Sequence, residues 1–116
     1  MNKLPLNHIE RTLKIIGGRW KMMILFHLID SPKRQSELLR LIPNISQKVL
    51  IQQLREMEEH GIVSRFVHPV VPPKVEYSVT TLGFSLSPIC KQLCDWGEKH
   101  LKEEETNNQK NQLKQK

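Results

Sequence analysis

Between Ile45 and Gly61 the chain reads ISQKVLIQQLREMEEHG, and just past Gly61 its apolar period changes from 3.6 to 2. Few folds accept that order: a helix that must bury one face, followed at once by paired strands. Within the helix Leu50, Leu54 and Met57 recur at i, i+4, i+7, the spacing of a face packed on a core. The opposite face collects Lys48, Gln52 and Arg55, with Gln47 and Ile51 on its flank. Ser46 stands where an N-cap hydroxyl accepts an orphan backbone N–H, and Gly61 where a glycine closes a helix. Lys and Arg bind phosphates, and Arg and Gln hydrogen-bond base edges in a DNA major groove. A solvated surface helix carries the same pattern, so the flanking segments have to decide.

Those segments come in a telling order. His8–Ile16 reads as a helix with Ile9, Leu13 and Ile16 on one face and Asn7 as its cap, after a short arm, Met1–Asn7. Gly17-Gly18 breaks it, because two glycines are costly inside a helix. A second helix, about 19–29, is apolar around much of its circumference, includes Trp20, and is expected at the centre of the core; Pro32 ends it. Arg34–Ile42 is a short helix, Pro43-Asn44 a tight turn, and the helix from Ser46 follows: the outline of a helix-turn-helix. Val63, Arg65 and Val67 then alternate with Ser64, Phe66 and His68, and Val75, Tyr77 and Val79 with Lys74, Glu76 and Ser78. Pro69-Val-Val-Pro-Pro73 between them suits an extended loop, so the pair makes a wing with Lys74 at its edge, in reach of phosphate or minor groove. Thr80 or Thr81 caps a long last helix on which Leu82, Leu86, Ile89, Leu93, Trp96 and His100 form a heptad seam, more apolar surface than so small a domain covers by itself.

The expected fold is therefore mainly α with a small β wing (α+β), a winged helix-turn-helix with N- and C-terminal dimerisation helices. One domain spans residues 1–103, with a recognition helix at about 46–60, a wing at about 62–79 and a dimerisation helix at about 81–103. Residues 104–116 are a polar tail, a frayed helix end or disordered. With 116 residues and 38% hydrophobic content the chain builds a core without disulfides. Its net charge is +6, and up to Leu101 there are already 14 Lys/Arg against 9 Asp/Glu, so the excess is not a tail effect and favours an anionic partner. No apolar run approaches a membrane span and no signal-peptide pattern opens the chain, which makes a cytoplasmic protein the expectation.

Ile16-Gly-Gly-Arg-Trp20, Ile45-Ser-Gln-Lys-Val-Leu50, Leu54-Arg-Glu-Met-Glu58, Gly61-Ile-Val-Ser-Arg65, Val71-Pro-Pro-Lys-Val-Glu-Tyr77, Thr80-Thr-Leu-Gly83 and Trp96-Gly97 together resemble the HxlR-type winged helix-turn-helix regulators, within the MarR/ArsR-like winged helix superfamily. The resemblance runs from about Asn7 to His100. It implies a small bacterial DNA-binding homodimer, joined through terminal helices, that represses or activates nearby genes. Two departures stand out. Members that sense electrophiles or oxidants carry a cysteine just before the first helix, where this chain has Asn7. In mid-recognition helix the family favours a small hydroxyl residue followed by Gln-Arg, where this chain has Ile51-Gln52-Gln53; Ile51 either packs on a thymine methyl or turns into the core.

The candidate DNA contacts are Lys48, Gln52, Arg55 and Ile51 in the groove, Ser46 and Gln47 near the backbone, Gln35 and Ser36 at the start of the preceding helix, and Lys74 on the wing. Arg55 alternatively pairs with Glu58 or Glu59, and Arg65 with Glu76 across the wing. The dimer candidates are Leu82, Leu86, Ile89, Leu93 and Trp96. Cys90 and Cys94 at i, i+4 read first as small apolar residues and only remotely, with His100, as a metal site; no metal or cofactor is expected. No phosphate loop, nucleophile–base set or carboxylate pair suggests an enzyme. Besides double-stranded DNA and a second copy, an unidentified small-molecule effector between the terminal helices and the winged core is an open partner. The alternative to a DNA-binding regulator is a winged protein-interaction module whose active surface is the heptad helix.

Overall fold

The computed structural model describes residues 6–114, with side chains as far as Gln109, so most of the expected N-terminal arm lies outside the described residues. Helices α1 (Leu6–Ile16), α2 (Lys21–Asp30), α3 (Gln35–Leu41) and α4 (Gln47–Glu59) lead into strands β1 (Val63–His68) and β2 (Lys74–Val79), then a short helix α5 (Thr81–Phe84) and a long one, α6 (Ser87–Lys114). This is the winged helix-turn-helix expected from the period change. Its core is built where three helices cross: Ile24, Leu25 and Leu28 of α2, Leu38 of α3, and Leu50, Leu54 and Met57 of α4, closed beneath the wing by Ile62, Val63 and Tyr77. Each such aliphatic side chain contributes about 1.5–3 kcal/mol by leaving water. Trp20 packs on the edge of this core, half-buried, with the Arg19 guanidinium 4.3 Å from its ring centroid.

Local chemistry sets the ends of α4. Asn44 turns the chain out of α3 with φ 69°, a left-handed geometry its short side chain tolerates. The Ser46 hydroxyl accepts the Val49 N–H at 3.1 Å, as a cap should. Gly61, at φ 75°, reverses the chain, and Ile62 N–H donates to the Met57 carbonyl at 3.1 Å. Thr80 then fastens this corner from the far side of the wing, donating its hydroxyl to the Gly61 carbonyl at 2.6 Å and its N–H to that of Ile62 at 3.1 Å.

The wing strands pair antiparallel from Val63↔Val79 to His68↔Lys74, leaving Pro69–Pro73 as the loop. The sequence did not suggest the next feature. Lys33, in the α2–α3 connection, forms a β-bridge with Tyr77 on the free edge of β2. Lys33 N–H donates to the Tyr77 carbonyl at 2.9 Å, and Tyr77 N–H to that of Lys33 at 2.8 Å. Lys33 is accordingly buried, its ammonium on Ser31 and on Asp30 at 3.3 Å, and is not one of the domain's surface cations.

Four expectations need correction. The last helix is not continuous from Thr81: Thr80 caps only α5, and α6 starts at Ser87. Pro88 has no N–H for the Phe84 carbonyl and disfavours helix in the residue before it, so Leu82 stands apart from the seam of Leu86, Ile89, Leu93 and Trp96. The polar segment after residue 103 is helical to Lys114; it lacks Gly and Pro, and the His100–Glu104 pair at 3.9 Å reaches into it. Arg65 and Glu76 are not partners. The register sets Arg65 against Tyr77 and Phe66 against Glu76, so the two side chains leave opposite faces of the sheet. The first helix also begins earlier than expected, with Asn7 inside its first turn.

Gly83 shows how tightly the wing is seated. A Cβ there would lie 2.1 Å from the Ile62 carbonyl oxygen and 2.7 Å from Val79 Cγ2. Gly83→Ala is expected to cost about 1–3 kcal/mol by overpacking, read as a lower melting temperature, whereas Gly97→Ala, with open space around it, should leave stability unchanged or higher.

Candidate nucleic-acid interface

Burial of Leu50, Leu54 and Met57 leaves the other side of α4 facing outward, and Gln47, Lys48, Ile51, Gln52 and Arg55 line a shallow groove along it. Gln47, Lys48, Gln52 and Arg55 are exposed and Ile51 is half-buried at the groove's inner edge. No ion pair of Arg55 with Glu58 or Glu59 forms among the described residues. The acids are handled elsewhere: Glu56, on the inner flank, is bound by Lys21 of α2 at 3.0 Å, and that hydrogen bond holds its carboxyl below the usual range. The exposed face is thus amide and cation over its first two turns, with carboxylates confined to its last turn.

A second cleft opens beside the first, between α4, the start of α3 and the wing. Gln35, Ile51, Arg55, Glu58, Arg65 and Tyr77 line it. Gln35 thus lines the cleft beside the helix face, whereas the exposed Ser36 lines neither opening. Arg65 is the residue that sequence reasoning misplaced. Its alternation with Val63 and Val67 was the available signal, since that parity is the core-facing one of β1 and turns toward α4. Lys74 is half-buried at the wing, 3.7 Å from Glu76, which is also hydrogen-bonded to His68. That bond to His68, helped by the Lys74 charge, keeps the Glu76 carboxyl below its ordinary range, so the wing's outer face is partly neutralised. Ser46 spends its hydroxyl on the cap.

The chain was compared with known proteins. Residues 15–105 match the model for the HxlR-like helix-turn-helix family. The chain belongs to the HxlR-like helix-turn-helix family. The uncharacterised transcriptional regulator YkvN of Bacillus subtilis is 59% identical over 88 residues, covering 76% of this chain and 75% of YkvN. YtcD of the same organism is 54% identical over 93 residues, covering 80% and 74%. Among solved structures, the redox regulator HypR in its oxidised form superposes with a TM-score of 0.78 at 50% identity, covering 79% of this chain and 95% of that one. This HxlR-like protein is a DNA-binding transcriptional regulator with a winged helix-turn-helix fold. Among the described residues, no helix is long and apolar enough to cross a membrane.

This HxlR-like chain carries two free thiols on its last helix. Cys90 is buried on α6 and Cys94 exposed one turn later, and both border an apolar cleft of about 280 Å³ against α2 and the end of α3. Burial first, then the neighbouring Cys94, pushes the Cys90 thiol up. A raised thiol stays protonated at neutral pH and is a poor nucleophile. Iodoacetamide at pH 7.5 should therefore modify Cys94 on the folded protein and reach Cys90 only after denaturation. Mass spectrometry of the tryptic peptides reads this, and equal labelling rates would contradict the placement.

Proposed function

We propose that this regulator binds duplex DNA as a homodimer, with α4 of each copy in a major groove and the wing on the flanking backbone or minor groove. What carries the reading is the groove of Gln47, Lys48, Ile51, Gln52 and Arg55 on a helix whose other face is locked in the core. Lys48 and Gln52 reach base edges, Arg55 stands at the wing-side edge of the groove in reach of the backbone, Ile51 meets a thymine methyl, and Ser46, Gln47, Gln35 and Ser36 lie near phosphates, with Lys74 on the wing. Two such helices in successive major grooves stand about 34 Å apart and call for a pseudo-palindromic site. A regulator of this kind works in the cytoplasm, where the chromosome is.

The second copy answers a problem the single chain leaves open. Leu6, Ile9 and Leu13 of α1 are each more than half exposed, as are Phe26 of α2 and Leu93 and Trp96 of α6. The radius of gyration, 18.4 Å, exceeds the roughly 13 Å of a compact chain of this length, because the long helix projects from the core. In the dimer the α1 stripe of one copy covers the apolar cleft of Met22, Met23, Phe26, Leu41 and Leu93 on the other, and the α6 seams of Leu86, Ile89, Leu93 and Trp96 meet, with Leu82 at their edge. That cleft is where a small-molecule effector was expected; its apolar walls suit the partner's helix.

Two experiments test this. In a salt series with duplex selected from a random pool, Lys48→Ala/Arg55→Ala should weaken specific binding by roughly one to two orders of magnitude at an unchanged melting temperature; undiminished binding would overturn the interface. Ile9→Asp/Leu13→Asp should sediment as a monomer at concentrations where the wild type is a dimer, and a dimeric variant would remove α1 from the interface.

A further inference from the structure

The cleft between α4 and the wing holds more cation chemistry than the recognition helix needs. Arg55 comes to it from α4 and Arg65 from β1, both exposed, and the half-buried Gln35 joins them from the start of α3. The cleft measures about 410 Å³, room for a phosphate with its ester oxygens. Tyr77 also lines it; the residue as a whole is 8% exposed, and its hydroxyl is neither hydrogen-bonded among the described residues nor cut off from solvent.

Backbone geometry explains the arrangement. In an antiparallel pair each residue turns both its N–H and its C=O to the same neighbour. Tyr77 gives both to Lys33, so Tyr77 and Arg65 are a non-hydrogen-bonded pair, the kind whose side chains stand closest. Arg65 thereby shares the Tyr77 face of the sheet, away from Glu76 and its cations. The cleft's one carboxylate is Glu58, one turn along α4 from Arg55. Two guanidiniums, an amide and a phenol around one opening are donors for a tetrahedral oxyanion, and planar guanidiniums favour paired hydrogen bonds to phosphate.

We propose that Arg65, with Arg55, Gln35 and Tyr77, is a clamp for one DNA backbone phosphate at the junction of recognition helix and wing. The clamp rests on the DNA-binding reading above and adds Arg65 and Tyr77 to it. It positions the duplex and reads no base. It fixes how deep α4 sits in the groove, because the same phosphate is held from the helix and from the strand that packs behind it.

A phosphate contact weakens binding uniformly across sequences and lowers the salt slope by about one when lost. Arg65→Ala should therefore lose roughly fivefold to tenfold affinity for both the selected duplex and a random one, with the slope of log K against log salt reduced by about one. Arg65→Lys should keep the slope, since the charge remains, and recover only part of the affinity. Glu58→Gln should tighten binding to both duplexes. Melting curves show whether each variant is folded, and the exposed Arg65 and Glu58 should leave them unmoved. If wild type binds duplex DNA and Arg65→Ala matches it in affinity and slope, the clamp is wrong while the regulator reading stands. If Arg65→Ala loses affinity for the selected duplex alone, Arg65 reads bases and the clamp is also wrong. If wild type binds no duplex at low salt, the regulator reading itself fails, and the clamp with it.

Discussion

Two backbone hydrogen bonds between Lys33 and Tyr77 hold the reading surface together. They join the loop that precedes the helix-turn-helix to the outer edge of the wing, so that α3, α4 and the two strands form one body around a shared core. An isolated two-stranded ribbon is marginal in water, and a third strand-like partner plus a packed face is what gives it independent stability. Here the third partner is a single residue. Its consequence is geometric: the wing's angle to α4 is set by the backbone, and Tyr77 and Arg65 inherit their places from it. The lysine at this bridge is buried as a result, and its ammonium is satisfied locally by Asp30 and Ser31.

The rest of the surface divides by charge and by what remains uncovered. Carboxylates are drawn off the first turns of α4 or tied inward, as Glu56 is by Lys21, which leaves amides and cations facing outward. On the far side, α1, α2 and α6 show bare apolar stripes that a chain of this size cannot bury alone. One face therefore suits an anion and the other a copy of itself. The two demands meet at α2, which is buried on one side by Ile24, Leu25 and Leu28 and lends Met22, Met23 and Phe26 to the cleft on the other.

Much of this was legible in the chain because short-range periodicity carries it. Leu50, Leu54 and Met57 named the buried face of α4, Ser46 and Gly61 its ends, and the alternation after Gly61 the wing. Two features hidden from it depend on contacts between distant residues. Nothing local predicts the bridge of Lys33 to Tyr77, 44 positions on, which buries that lysine. Arg65 and Glu76 looked like partners until the register, fixed by the whole hairpin, put them on opposite faces. The break before α6 was readable after all, from Pro88, but the heptad of apolar residues running across it was given more weight. Helix in the polar segment beyond residue 103 follows from propensity rather than from an apolar stripe, so no periodicity marks it.

In the proposed complex α4 enters the major groove and a second copy does the same one turn away. Dimethyl sulfate protection on duplex selected by the protein tests it most directly, since guanine N7 lies in the major groove and adenine N3 in the minor. The predicted result is two runs of protected guanine N7 about one helical turn apart on one side of the duplex, the protection weakened by Gln52→Ala. A bound protein that protects only adenine N3, or a single unpaired run, would contradict it.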